Sequence, residues 1–370
     1  MRELPINARE RLTALARVLV DQNAARMLVS PYEKREGFWF GAGNLSRDRS
    51  GAMFLIGRYR NYGDSRTGLD AGTRGSELAV FRSDDQAKGF RKIVSFSKSD
   101  LSCEGHNVVS IEGAKLLFSE EGVELFVSTE KAGIEYPPEV RSFHKPGTGV
   151  WTIDHATAPS VEALKAAELK TIIRSEDPRW LHAKDPVVSR TSKGDTLLYF
   201  CTHPFNWASA NSALSVRPSG GAVFSEPNYQ PFPRGFTWDV AISRITGFCP
   251  VPAAGLLKEY PGTMLVFYDG GESMRKYDEH PAAVRRPRGY SCEELGGLAY
   301  ATDGDYRNME RLSTRLPFFV SPYGTGCSRY VDVLAAEEGY YVTWQRSQPD
   351  GSQPLVLNFV RRKDAEKILA

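Results

Sequence analysis

The sequence is short of the features that mark several common protein classes. Its five cysteines, Cys103, Cys201, Cys249, Cys292 and Cys327, are odd in number, far apart and without a CxxC pair. They read as thiols of a reducing compartment, not as a disulfide frame or zinc ligands. The six histidines show no metal-ligand spacing, so no metal and no cofactor is expected. Neither sign of charge prevails: 47 Lys and Arg against 45 Asp and Glu leave a net +2, no reason to expect nucleic acid or an anionic membrane as partner. No apolar run approaches the length needed to span a bilayer. The opening stretch, MRELPINARERLTALARVLV, is charged throughout and lacks the apolar core of a signal peptide. A cytoplasmic location is expected, or a periplasmic one where a signal peptide has been removed. A serine nucleophile elbow, a P-loop and a dinucleotide fingerprint are missing too. The glycine stretches HKPGTG (144–149) and SPYGTG (321–326) read as turns, because no helix follows them.

Helical periodicity is scarce as well. From Asn7 to about Met27, apolar residues at Leu12, Leu15, Ala16, Leu19 and Val20 keep helical spacing, with Asn7 as N-cap and Glu10 three residues on. This predicts an amphipathic helix on the outside of the main body, and a dimerising helix is its sharper alternative. Only Ser160–Lys170 (SVEALKAAELK) also reads as helical.

What the chain does have, from Pro31 onward, is strands. Short runs of Val, Ile, Phe, Tyr and Leu alternate with Gly, Asp, Ser and Pro clusters, the texture of an all-β protein of many antiparallel strands. No linker divides them. The expected organisation is an N-terminal segment, residues 1–30, and one catalytic domain, residues 31–370.

A degenerate repeat runs through the strands. Leu78–Asp84 (LAVFRSD) and Leu298–Asp303 (LAYATD) share one pattern, and Gly149–Thr157 (GVWTIDHAT) is a looser copy. A second style of strand precedes each: Met53–Arg60, Val123–Thr129, Thr196–Thr202, Met264–Asp269 and Tyr340–Arg346. Before each of those lies a polar mouth: Gly43-Asn44, Glu104 to Asn107, Lys184 to Pro186, Trp238 to Val240, and Ser328 to Tyr330. Five units of about four strands suit a five-bladed β-propeller, since no blade buries both faces alone. A β-sandwich is the competing all-β reading. In a propeller the ring closes by pairing an early strand, here Arg26–Ser30, with the last blade, which ends in Leu355–Val360.

The innermost strands of a propeller begin near one end of the central channel, so the mouths should converge. Asn44, Glu104, His106, Asp185, Asp239 and Arg329 would then meet. Asp185 stands out because Pro186 stiffens its strand and should push it toward an extended backbone. In isolation it also reads as an ordinary turn aspartate.

The acidic strand mouths, the KDPVV element (184–188) and the S-x-L-A-x-x-x-S-D style of the first blade (76–84) resemble the five-bladed propeller glycosidases. That group comprises arabinanases, invertases and levansucrases, with mannoside phosphorylase relatives. The resemblance spans roughly residues 38–360 as an architecture and rests on short motifs. It implies an acidic pair near the channel doing acid/base work, with Asp185 matching the D-P element of those families. One departure is plain: arabinanase- and invertase-type enzymes carry an aspartate at the first mouth, where this chain has Gly41-Ala42-Gly43-Asn44. The phosphorylase relatives lack an acid there too.

Glycoside cleavage requires two carboxyl groups in different protonation states across the scissile bond. The catalytic candidates are Asp185, Asp239, Glu104 and Glu294. Asp239, between Trp238 and Val240, has the apolar setting of a general acid, and a strand-start aspartate is the plainer reading. Asp185 beside Lys184 suits a base or an orienting carboxylate. Glu293-Glu294 lies in a loop expected to cover the channel. Substrate binding is assigned to Asn44, Arg58, Arg74, His106, His182, Trp238, Glu293 and Arg329. Arg60, Arg66, Lys145, Arg285, Arg286 and Arg288 add positive charge that would suit a uronic or sulfated sugar, or phosphate as co-substrate. Pairing with the chain's own acids is the simpler account of most of them. The expected activity is that of an exo-acting glycoside hydrolase, with a phosphorylase and a non-catalytic sugar- or protein-binding propeller as rivals.

Overall fold

The computed structural model describes residues 1–61, 74–143, 148–204, 209–272 and 294–370. Their strands form five antiparallel sheets around one axis. Blade 1 is β2 (Trp39–Arg47), β3 (Met53–Arg60), β4 (Glu77–Ser83) and β5 (Arg91–Ser97). Blade 2 is β6 (Val108–Phe118), β7 (Val123–Lys131), β8 (Val150–Ala158) and β9 (Lys170–Ile173). Blade 3 is β10 (Leu181–Arg190), β11 (Thr196–His203) and β12 (Asn211–Arg217). Blade 4 is β13 (Ile242–Pro250), β14 (Met264–Gly271), β15 (Leu295–Ala301) and β16 (Glu310–Arg311). Blade 5 is β17 (Ser328–Ala335), β18 (Gly339–Arg346) and β19 (Leu355–Arg361), with β1 (Arg26–Val29) paired antiparallel outside β19. The inner strands β2, β6, β10, β13 and β17 touch in sequence, and β17 returns to β2.

The two strand styles are the second and third strands of the blades. The second strands β3, β7, β11, β14 and β18 are buried along their whole length. Sheets pack on both of their faces, so apolar residues run on without alternation. The L-A runs fall on β4 and β15, and the looser copy on β8. Each blade interface has its own core. Ile56, Val80, Leu116 and Val127 join blades 1 and 2. Tyr199, Val266 and Tyr268 join blades 3 and 4.

α1 (Ile6–Leu19) is shorter than its periodicity predicts, because the chain leaves at Arg26 to become β1. Its Leu12, Leu15, Ala16 and Leu19 are fully buried against blades 4 and 5 and a C-terminal helix, α2 (Arg362–Leu369), that the sequence reading did not anticipate. Pro5, not Asn7, is the N-cap. Ser160–Lys170 forms only a 3-10 turn, Glu162–Ala166, because Lys170 already belongs to the edge strand β9. Among the described residues blade 3 has three strands and no fourth. No helix among the described residues is long and apolar enough to cross a membrane.

What positions the site is a bulge repeated on every inner strand. The register slips between Gly41 and Asn44, Ile111 and Ala114, Lys184 and Val187, Ile245 and Gly247, and Arg329 and Asp332. A bulge re-aims side chains and is common beside functional sites. Three bulge residues, Ala42 (φ +57°), Asp185 (φ +52°) and Tyr330 (φ +57°), take the left-handed conformation. Asp185 is therefore not extended as its proline neighbour led us to expect. The bulge geometry overrides the local preference, and aspartate tolerates that region better than most residues.

Candidate functional site

Arg244 on β13 is the hub of the channel mouth. Its Nη1 donates to Asp185 Oδ2 at 2.8 Å, and its Nη2 to Asp269 Oδ2 at 2.6 Å and Glu294 Oε1 at 2.8 Å. Arg329 Nη1 holds the other Glu294 oxygen at 2.5 Å. Tyr330 closes the group: its hydroxyl lies 3.4 Å from Asp185 Oδ2, and its backbone N–H donates to Asp269 Oδ1 at 3.1 Å. The Arg244 guanidinium lies 4.3 Å from the centre of the Tyr330 ring. Asp185 also accepts from the Gly113 N–H at 3.3 Å, an approach open only because Gly113 has no Cβ to strike the Asp185 backbone.

Burial shapes the charges. Burial works against ionising Glu294, yet the Arg244 and Arg329 guanidinium groups hold its carboxyl down at about 2. Asp269 moves the other way. Burial, reinforced by the Glu294 charge, pushes it up in spite of Arg244. Two carboxyl groups on one guanidinium nitrogen are thus driven apart.

Blades 1 and 2 supply a basic half. Arg58 Nη2 pairs with Glu112 Oε2 at 3.1 Å, and Arg74 Nη2 with Glu130 Oε2 at 2.7 Å, all four side chains buried. Burial alone would raise Glu112, but Lys184, Arg58, Arg60 and Arg74 together carry it far below the usual carboxylate range. Lys184 does not pair with Asp185 among the described residues, and its ammonium lies 4.8 Å from the centre of the Trp151 ring. Trp39 takes Arg60 at 4.7 Å and Arg329 at 4.4 Å from its ring centre.

Lys115 and Asp332 tie the inner strands together next to this group. Lys115 Nζ donates to the Gly43 carbonyl at 2.7 Å and to Asp332 Oδ1 at 3.0 Å, while Asp332 Oδ2 accepts from the Leu45 N–H at 3.0 Å. The cavity between Asp185, Arg244 and Lys115 measures about 10 Å³.

Of the residues expected to meet, Asp185, Glu294, Arg329, Arg58 and Arg74 sit in this mouth. The other predicted site residues are placed elsewhere. Asn44 bonds both backbone groups of Leu116, at 3.0 Å and 2.9 Å, and so laces β2 to β6. Glu104 accepts from the Thr171 N–H at 3.2 Å on the outermost strand of blade 2, and His106 closes a turn onto Cys103. Asp239 is held inside blade 4 by Arg311 Nε at 2.8 Å and the Tyr268 hydroxyl at 3.1 Å, with no bond to the Arg244 cluster. Trp238 lies beside it, donating to the Ser313 carbonyl at 2.9 Å. His182 is buried at the head of β10, its Nδ1 3.0 Å from the Tyr136 hydroxyl and its ring edge-on to Trp151. Glu293, Arg66, Lys145, Arg285, Arg286 and Arg288 lie outside the described residues. Glu104, His106, Trp238 and Asp239 share a cause: on β6 and β13 the channel position comes inside the strand, at Glu112 and Arg244, several residues after the polar cluster that reads as a mouth. Asp269 was missed because it closes an apolar strand. Its signal was that MLVFYD is the second-style strand that ends in a carboxylate.

No protein-family model matches the chain, and no curated protein matches its sequence. Solved structures do share its fold. An α-L-arabinofuranosidase from Lactobacillus brevis has a TM-score of 0.55 at 10% identity, covering 91% of this chain and 93% of that one. The GH43_1 enzyme from Xanthomonas citri complexed with xylotriose has a TM-score of 0.53 at 12% identity, covering 95% and 92%. A β-1,2-mannobiose phosphorylase from Listeria innocua has a TM-score of 0.53 at 11% identity, covering 92% and 96%. Glycoside hydrolases and a phosphorylase are thus among its structural neighbours, and what is common to all is the five-bladed propeller.

Proposed function

We propose that this propeller cleaves glycosidic bonds at its channel mouth, as an exo-acting glycoside hydrolase using Asp269, Glu294 and Asp185. One observation carries the reading. Asp269 and Glu294 share Arg244 Nη2, yet their surroundings drive their proton affinities in opposite directions. Glycoside cleavage asks for that division: one carboxyl keeps a proton for the leaving oxygen, and another stays ionised to attack or to activate water. Asp269 takes the acid role that the sequence suggested for Asp239. Glu294 is the ionised partner, and Asp185 orients the group from the other end of the guanidinium. The neighbours complexed with sugars support the substrate class.

Phosphorolysis is the second reading, and Ala42 favours it. The blade 1 mouth, Gly41-Ala42-Gly43-Asn44, lacks the aspartate that the resemblance to the hydrolases would imply there, and Ala42 stands in its bulge at φ +57°. A phosphate nucleophile needs no base there. A screen of oligosaccharides and aryl glycosides, with and without inorganic phosphate and followed by NMR of the product anomer, tests both. Free sugar in both conditions supports hydrolysis, and sugar phosphate formed only with phosphate supports the second reading. No turnover of any substrate, with sugar binding retained, would mark a non-catalytic propeller.

A further inference from the structure

The basic half of the mouth contains guanidinium groups that its own acids do not satisfy. Arg60, on β3, is 2% exposed, and its Nε and Nη2 form no hydrogen bond among the described residues. Those two N–H groups make the parallel fork that matches the two oxygens of a carboxylate. Two residues earlier, Arg58 is equally buried, and its Nε and Nη1 are also without partners although Nη2 holds Glu112. Arg74 Nε completes the set. Buried polar groups are almost always hydrogen-bonded, and an unpaired buried charge is costly. Four cations, Arg58, Arg60, Arg74 and Lys184, act on Glu112, and among the described residues Glu130 adds a second carboxylate, paired with Arg74. Burial, opposed by Glu112 but aided by Arg58, Arg74 and Arg329, presses Arg60 down to about 9. Arginine keeps its proton in proteins, so an anion on the open Nε–Nη2 edge would offset this burial.

We infer that Arg60 and Arg58 form a subsite for a carboxylate carried by the substrate sugar, so that the enzyme acts on acidic, uronate-bearing glycosides. The subsite rests on the glycosidase reading, since it faces the same mouth as Asp269 and Glu294. It puts the acidic group on the blade 1 side, with Trp39 beside it between Arg60 and Arg329. Planarity selects the ligand: the Nε–Nη2 edge takes a flat carboxylate in bidentate fashion.

The test is thermal unfolding of the whole chain at constant ionic strength with glucuronate, galacturonate, glucose, sulfate, inorganic phosphate or chloride. A uronate should raise Tm dose-dependently while glucose and chloride do not. Arg60→Gln should weaken uronate binding at least tenfold by calorimetry, and Arg60→Lys should restore it only in part. Without any anion, Arg60→Gln should unfold no lower than wild type, because it removes an unpaired buried charge. Stabilisation by phosphate or sulfate alone, equal stabilisation by glucose, or full uronate binding by Arg60→Gln would each overturn the inference. Should the variant not fold, the wild-type ligand series decides by itself. Wild-type turnover of aryl glycosides, both neutral and uronic, reads the glycosidase proposal separately. Uronate binding without any turnover leaves the subsite standing and the activity refuted.

Discussion

Replacing Arg244 by methionine tests the central premise, that one guanidinium holds three carboxyl groups together. The side chain is 6% exposed and makes bonds of 2.8, 2.6 and 2.8 Å to Asp185, Asp269 and Glu294. Removing one partner of a buried ion pair leaves the others uncompensated, at a cost of about 3–5 kcal/mol. At about 2.1 cal/mol/K of unfolding entropy per residue, a chain of 370 residues loses roughly 1.3 °C of Tm per kcal/mol, hence roughly 4–6 °C in total. The loss should depend on pH. Glu294 is held near 2 by Arg244 and Arg329, below its unfolded value of about 4.3, so its contribution is present above that value and fades as pH falls toward 2. Asp269 is raised, so its contribution is present at low pH and is lost as pH rises through its folded value, a loss that Arg244 limits. Both effects make the gap between wild type and variant widen with pH. Thermal unfolding by circular dichroism from about pH 2.5 to about pH 8, which covers both windows, measures it. A Tm within a degree of wild type, or a gap of equal size at both ends of the range, would refute the reasoning.

Four further outcomes follow from the same geometry. Asp269→Asn and Glu294→Gln should each lower turnover at least about a hundredfold with the fold intact, and an activated aryl leaving group should rescue the first but not the second. Asp239→Asn should instead act on stability, by about 1–3 kcal/mol through the weakened Arg311 and Tyr268 bonds, and near-normal turnover would separate it from the acid role. Deleting residues 1–31 removes β1 and the buried Leu12, Leu15 and Leu19, worth roughly 5–9 kcal/mol of apolar burial, so a melting curve equal to wild type would show that the ring does not depend on them. Lys131→Met should destabilise by about 3–5 kcal/mol in urea unfolding, since Lys131 and Asp154 are paired at 2.6 Å with neither side chain exposed.

The sequence by itself was enough for the architecture. Second strands that are buried on both faces must be apolar from end to end, and their recurrence at Met53, Val123, Thr196, Met264 and Tyr340 counted the blades. The partners of ring closure, Arg26–Ser30 and Leu355–Val360, were legible for the same reason: an edge strand without a partner leaves its backbone unsatisfied. Asp185 was readable because proline and β-branched neighbours marked its strand. What tertiary structure alone decided was which polar residues face the axis. A bulge adds one residue to a strand and changes which side chains point inward, and nothing in the local sequence announces it on β6 or β13. Glu112 and Arg244 therefore replaced Glu104 and Asp239 at the channel, and Asp269, looking like the end of a core strand, joined them. Periodicity records which face is buried, but the convergence of five strands on one axis, and the pairing of Arg244 with acids from blades 3 and 4, exists only once the ring is closed.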